Sequence, residues 1–407
     1  MHCAAARYIP PSDAFADVTP PSPPAPPSAA TTAPAGDDVF ARIPARTPTL
    51  TLAILGLLAA VFAAELAFAI EPAKGLLEPG VRTLLALGGL QYTATVGSDE
   101  WYRMFLAPLM HTSLIHLVIN GIALYVAGRL LEPVIGARWF AALFVASGLA
   151  GSVMSLLVND RNIVSVGASG AIMGLFAAML VVSRRFADPA RSRLRLTAIQ
   201  VLIASMLPVT SGSIGTVDYG AHLGGAIAGA VVALLMLAVW RGTPAPLRGA
   251  AAAPRLAFIA TIIAGLGVAG AAYGATQIPY DHKLQSYAAL LFPRDRLPAT
   301  DEAAKAAAEN LISTHPRDPR GHFYRALALV DAKNLAAAEG ELRIALGDSE
   351  LLRLMFKPVF SQRMEMVLSL VLLDQHRLNE ARLAAQPVCA LANTFRDQVA
   401  KYGLCSL

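Results

Sequence analysis

From residue 49 onward the chain alternates long apolar runs with short polar joints, and the runs are too long and too evenly apolar for the two-residue alternation of a half-buried strand. Seven are apparent, at 49–70, 104–130, 137–158, 166–183, 195–210, 219–240 and 256–278. Crossing roughly 30 Å of hydrocarbon at 1.5 Å per residue takes about 20 residues. The pattern therefore predicts seven membrane-spanning helices, of which the fifth is short and either tilted or loosely held. Before the first run the pattern is absent: eleven of the 27 prolines fall within residues 1–48, which read as a disordered tail that cannot bury enough apolar surface to offset its ordering entropy. It carries no apolar core of signal-peptide length, and Cys3 has no lipidation context. After Tyr280 helical spacing continues in an ordinary soluble mixture, with 16 Lys and Arg against 15 Asp and Glu. The expected fold class is all-α: a polytopic membrane bundle with a six-helix core at 49–240, a linker and seventh span at 241–280, and a soluble helical domain at 281–407.

Composition agrees. With 55% hydrophobic against 15% charged residues and a mean hydropathy of +0.53, a multidomain soluble protein is excluded. A formal charge of +5 is too small for a nucleic-acid surface, and three cysteines cannot form a disulfide scaffold. The distribution of charge says more than its sum. Arg42 and Arg46, Arg129 and Arg138, the cluster Arg184, Arg185, Arg191, Arg193 and Arg195, and then Arg241, Arg248 and Arg255 all fall in joints on one side, whereas 71–103, 159–165 and 211–218 are poor in Lys and Arg. Positive joints stay inside, so the N-terminus is expected in the cytoplasm of a cell's inner membrane and the C-terminal domain outside. In that topology Cys389 and Cys405 lie in an oxidising compartment, where they either pair or remain thiols.

Polar residues at membrane depth are costly and default to function. His111 and His116 fall in the outer half of the second run, with Asn120 one helical turn beyond His116; His222 lies near the outer end of the sixth, and Gly167, Ala168, Ser169 and Gly170 open the fourth on the same side. A lone Gly-x-Ser-Gly or a single intramembrane His is weak, because small residues and hydrogen-bonding groups pack helices in any bundle. Three segments placing such groups at one level is a stronger signal. Gly170 and Gly174, and Gly225 and Gly229 on His222's own face, form small-xxx-small pairs that would bring the two helices close.

The ordered set Trp101, Tyr102, Arg103; His111, His116, Asn120; Glu132; Gly167, Ala168, Ser169, Gly170; and Ala221, His222, Leu223, Gly224, Gly225 resembles the rhomboid family of intramembrane serine proteases. The resemblance covers roughly residues 50–240. It implies Ser169 as nucleophile and His222 as general base, a dyad without an aspartate. It implies His116 and Asn120 as oxyanion donors alongside the Ser169 N–H, with Gly167 opening the hole. Trp101 and Arg103 match the first external loop, Arg103 and Glu132 a structural polar pair, and His111 a position that supports the loop or retained water. Where the family often stacks an aromatic ring on the base, this chain has Met173. No metal or other cofactor is implied.

The implied substrates are membrane-embedded, single-pass helices that must unwind locally to expose a carbonyl. The short fifth span and Ser211 to Val217 are the expected gate and cap. A rhomboid-like pseudoprotease that binds membrane clients, or a transporter, would share many of these features. In the C-terminal domain the segments 301–319, 320–346 and 360–385 look alike. The spacing of Ala326, Leu329, Ala338 and Ala345, and the His315, Pro316, Asp318, Pro319 stop, resemble tetratricopeptide repeats, which would offer a concave surface to a protein partner. An unrelated small helical bundle is the alternative.

Overall fold

The computed structural model describes residues 46–75, 77–207, 217–239, 254–390 and 394–405. The described residues are all-α apart from two isolated bridges, Lys74 with Glu78 and Leu90 with Ser165. Helix α1 spans Thr49–Ala67. A loop with three short helices follows, α2 at Val81–Ala86, α3 at Tyr92–Thr95 and α4 at Arg103–Leu106. Then come α5 at Leu114–Ile135, α6 at Ala137–Val158, α7 at Ser169–Val182, α8 at Ala190–Met206, α9 at Tyr219–Val239 and α10 at Pro254–Ala289. Helices α1, α5, α6, α9 and α10 are long and apolar enough to cross a membrane. The proline-rich tail and nearly all of the expected cap at 211–217 lie outside the described residues.

The second expected span begins later than its hydropathy suggests. Residues 103–110 form α4 and a 3-10 turn holding Pro108, and α5 starts only after Ser113, whose side chain caps it by accepting from the His116 N–H at 3.2 Å. His111 therefore precedes the helix rather than lying in it. At the other end Gly136, at φ +83°, lets α6 begin one residue later.

The 14-residue α7 is shorter than a full span and apolar all round. Every residue except Ser169 and Leu180 is buried, which makes it the axis around which the other helices pack. Its seam with α9 is backbone against backbone: a Cβ on Gly225 would lie 1.9 Å from the Gly170 oxygen, and one on Gly229 2.1 Å from the Gly174 oxygen. Helix α8 contrasts with it. Only Ala190, Leu194 and Ala198 are buried, a single stripe at four-residue spacing, and nothing beyond Ala198 is.

Helix α10 runs 36 residues, roughly 54 Å at 1.5 Å per residue, which exceeds the thickness of the hydrocarbon. It crosses the expected boundary at 280 without a break. Gly267 packs on Val145, Gly270 on Phe105, and Gly274 on Leu106 and Tyr102, so α10 lies along α6 and α4. Beyond it lie α11 at Asp301–Thr314, α12 at Pro319–Asp331, α13 at Leu335–Gly347, α14 at Ser349–Met355, α15 at Pro358–Asp374, α16 at Leu378–Cys389 and α17 at Thr394–Lys401. Thr300, Asp318, Asn334 and Asp348 each accept from an N–H of the helix they open. The segments 320–346 and 360–385 are helical hairpins, α12 with α13 and α15 with α16. Segment 301–319 is one helix, because the Pro316 to Pro319 stop ends α11 before any partner is made. A disulfide joins Cys389 to Cys405.

Candidate functional site

Ser169 is the first residue of α7, so its N–H has no acceptor within the helix. Two residues earlier Gly167 sits at φ +132°, where a side chain is strained, and a Cβ there would meet His116 Nε2 at 3.0 Å and Asn120 Nδ2 at 3.7 Å. Glycine is required on both counts. The loop carrying it is pinned by the Gly167 N–H donating to the Ala107 carbonyl at 2.9 Å. His116 Nδ1 faces the Thr112 hydroxyl at 3.1 Å, which leaves Nε2 toward Gly167. Asn120 Nδ2 is buried with no hydrogen-bond partner. Donors from the first two turns of α5 and the N-terminus of α7 thus gather around one small space. His111 lies against it, its ring edge-on to that of His116 at 5.1 Å, with both its nitrogens buried; its backbone N–H donates to buried Glu65 at 3.1 Å.

His222 is buried in the first turn of α9. A Cβ on Gly170 would lie 3.0 Å from the Ala221 carbonyl, so the residue after Ser169 touches the residue before His222. The imidazole Nδ1 lies 3.1 Å from the Ser205 carbonyl near the end of α8. A carbonyl can only accept, so Nδ1 carries the proton and Nε2 keeps its lone pair. The aromatic ring beside the imidazole is Tyr219, edge-on at 6.5 Å, and not a residue of α7; Met173 is buried within the core.

Asp218 directly precedes α9. One carboxylate oxygen accepts from the Ala221 N–H at 2.8 Å, capping the helix, and the other accepts from Ser155 of α6 at 2.6 Å and from Ser165 of the loop before Ser169. Burial pushes its carboxyl up, but the hydrogen bonds from Ser155, Ser165, Ala221 and Asn159 outweigh this and hold it below the usual carboxylate range.

The expected polar pair of Arg103 and Glu132 is not formed. Arg103 precedes α5 and Glu132 lies in its last turn, so the length of the helix separates them. Glu132 instead caps α1, accepting from the N–H groups of Leu50 and Thr51 at 3.0 and 2.9 Å and from the Thr51 hydroxyl at 2.6 Å. Arg103 is buried, donating to the Leu85 and Gly89 carbonyls at 2.6 and 3.1 Å and paired with Glu100 and, at 2.9 Å, with Asp281 of α10. Tyr102 donates to the same carboxylate. Trp101 is 49% exposed. Sequence reasoning missed Glu65, Ser205, Asp218, Tyr219 and Asp281. Of these, Asp218 had a signal, an N-cap residue directly ahead of an apolar run.

Residues 98–239 match the family model described as the Rhomboid domain, and every motif residue from Trp101 to Gly225 falls within them. RHOMBOID-like protein 5 of Arabidopsis thaliana is 36% identical over 164 residues, 40% of this chain and 52% of the relative. Rhomboid protease GluP of Bacillus subtilis is 28% identical over 148 residues, 36% of this chain and 28% of the relative. Rhomboid protease AarA of Providencia stuartii is 30% identical over 212 residues, 47% of this chain and 73% of the relative. The chain belongs to the rhomboid family. It spans about half the length of the Arabidopsis relatives it matches. The match to the Rhomboid domain begins after α1 and ends before α10, so the rhomboid residues of the site are framed by two helices outside it.

Proposed function

We propose that this rhomboid is an intramembrane serine endopeptidase. The observation that carries the reading is the crowding of His116 Nε2, Asn120 Nδ2 and the α7 N-terminus around Gly167, two residues from Ser169, together with the contact of Gly170, next to Ser169, with Ala221, next to His222. In this reading the Ser169 hydroxyl attacks a substrate carbonyl and His222 Nε2 takes its proton. The Ser205 carbonyl does the orienting that an aspartate does in a triad: it holds the Nδ1 proton and so fixes the tautomer. As the carbonyl carbon becomes tetrahedral, the negative oxygen is received by His116, Asn120 and the Ser169 N–H. For His116 to donate from Nε2, its Nδ1 must accept, which the Thr112 hydroxyl permits. His222 then returns the proton to the leaving amine, and water cleaves the acyl-enzyme in the reverse sense.

The substrate is a transmembrane helix, because the site opens among membrane-spanning helices. Helix α8 is the fitting gate, since its outer half has no buried residue. The arginine-rich joints support a cytoplasmic N-terminus, and a Cys389–Cys405 disulfide fits a C-terminal domain in an oxidising compartment. We read that domain as tetratricopeptide-like, with its hairpins as a protein-binding surface. Cleavage of a model single-pass protein in proteoliposomes by wild type, Ser169→Ala and His222→Ala tests the assignment. Both variants are expected to lose cleavage, and turnover by either would end it.

A further inference from the structure

Among the described residues no carboxylate holds the imidazole of His222, yet one stands a helical turn away at Asp218. We propose that Asp218 is the positioning residue of this site, fixing the distance between the helix of His222 and the segment that presents Ser169. The proposal rests on the protease reading above and deepens it.

The geometry is a three-way junction. Through one oxygen Asp218 caps α9, four residues before His222, and thereby sets where the first turn of that helix begins. Through the other it holds Ser165, four residues before Ser169, and Ser155 on α6. Ser165 is itself fixed on its far side, because its N–H and carbonyl form a two-bond bridge with Leu90 at 2.8 and 3.0 Å. Ser155 is likewise held by Asn159 at 3.0 Å. A movement of α9 away from α6, or from the segment leading into α7, must break a hydrogen bond to a charged acceptor. The glycine seam of α7 and α9 brings the helices together along their length but permits sliding, since flat backbone contacts carry no directional bond. Asp218 supplies the direction. It does not touch the imidazole, so its contribution is to placement and not to proton transfer.

Asparagine is as good an N-cap as aspartate but brings an amide donor, and no charge, to the two serine hydroxyls. Asp218→Asn therefore separates capping from tethering. The experiment uses the full chain in proteoliposomes and follows the rate at which a fluorophosphonate acylates Ser169, together with kcat, KM and the melting temperature. A misplacement of about 1 Å costs on the order of 10²-fold. Asp218→Asn is expected to lower the melting temperature less than Asp218→Ala does, because it keeps the cap but loses the charge, while acylation and kcat fall by ~10- to 100-fold and KM holds. Ser165→Ala should do the same, and the double variant should be no slower than the worse single one. Wild-type acylation in Asp218→Asn, or effects that multiply in the double variant, would overturn the proposal. If wild type itself were unlabelled, the protease reading would fail alone. Disulfide formation between cysteines introduced at positions 169 and 222 would still report placement, and an unchanged yield on adding Asp218→Asn would overturn the positioning role.

Discussion

Gly229→Ala tests the site from a distance. Gly229 is two helical turns beyond His222, touches no substrate in the proposed mechanism, and faces the Gly174 carbonyl across the α7–α9 seam. The new Cβ would lie 2.1 Å from that oxygen and 2.5 Å from its carbon. Comfortable carbon–oxygen approach is about 3.3 Å or more, so the helices must part by about 1.2 Å, and neither neighbour is a side chain that can swing aside. Overpacking of this kind costs about 1–3 kcal/mol of stability. The catalytic effect is larger in proportion: the proposed proton transfer needs hydroxyl and imidazole to come within about 2.6–3.2 Å, which such a separation opposes, and kcat should fall by ~10²-fold. Gly56→Ala is the control, because nothing lies within 4 Å of its Cβ. It should leave turnover unchanged, with a gain in helix stability of up to about 1 kcal/mol. Cleavage kinetics and thermal melts of the two variants in the same lipid give the answer. Full kcat in Gly229→Ala would show that the seam does not set the spacing of Ser169 and His222.

Other perturbations act on single contacts. His116→Ala and Asn120→Ala should each lower kcat by ~10²- to 10³-fold with little change in KM, as measured by steady-state cleavage. Asp281→Ala leaves the buried guanidinium of Arg103 short of a counter-charge and should cost about 3 kcal/mol, read as a lower melting temperature, with Asp281→Asn milder. The folded-state pKa of Asp218 lies below its unfolded value, so its stabilisation is present above the ordinary carboxyl range and is lost as pH falls through the folded value. The melting-temperature difference between wild type and Asp218→Ala should therefore shrink below about pH 4. Peptide mapping without reductant should find Cys389 joined to Cys405 in protein exported by its host, and two free thiols would count against the external domain.

Much of this molecule is legible in its sequence because a bilayer imposes simple rules. Apolar length locates α1, α5, α6, α9 and α10, and glycine spacing at 170, 174, 225 and 229 foretells the tightest seam. What the pattern hides is local chain geometry within apolar stretches: Pro108 and the Ser113 cap put His111 in a connection between helices though hydropathy runs straight through it. Partners across the fold are hidden as well. Glu132 and Arg103 both needed partners, but only the three-dimensional path of the chain shows that Thr51 and Asp281 supply them. The atom that orients His222 is a main-chain carbonyl, and so leaves no trace in residue identity.

The unbroken run of α10 has a consequence for how this protein can be dissected. A fragment cut after Val239 would retain every motif by which its lineage is identified and yet would lose Asp281, the carboxylate that reaches the buried Arg103 from α10. The recognisable portion is therefore not self-sufficient. One helix thus joins the C-terminal helices to the loop that holds Arg103.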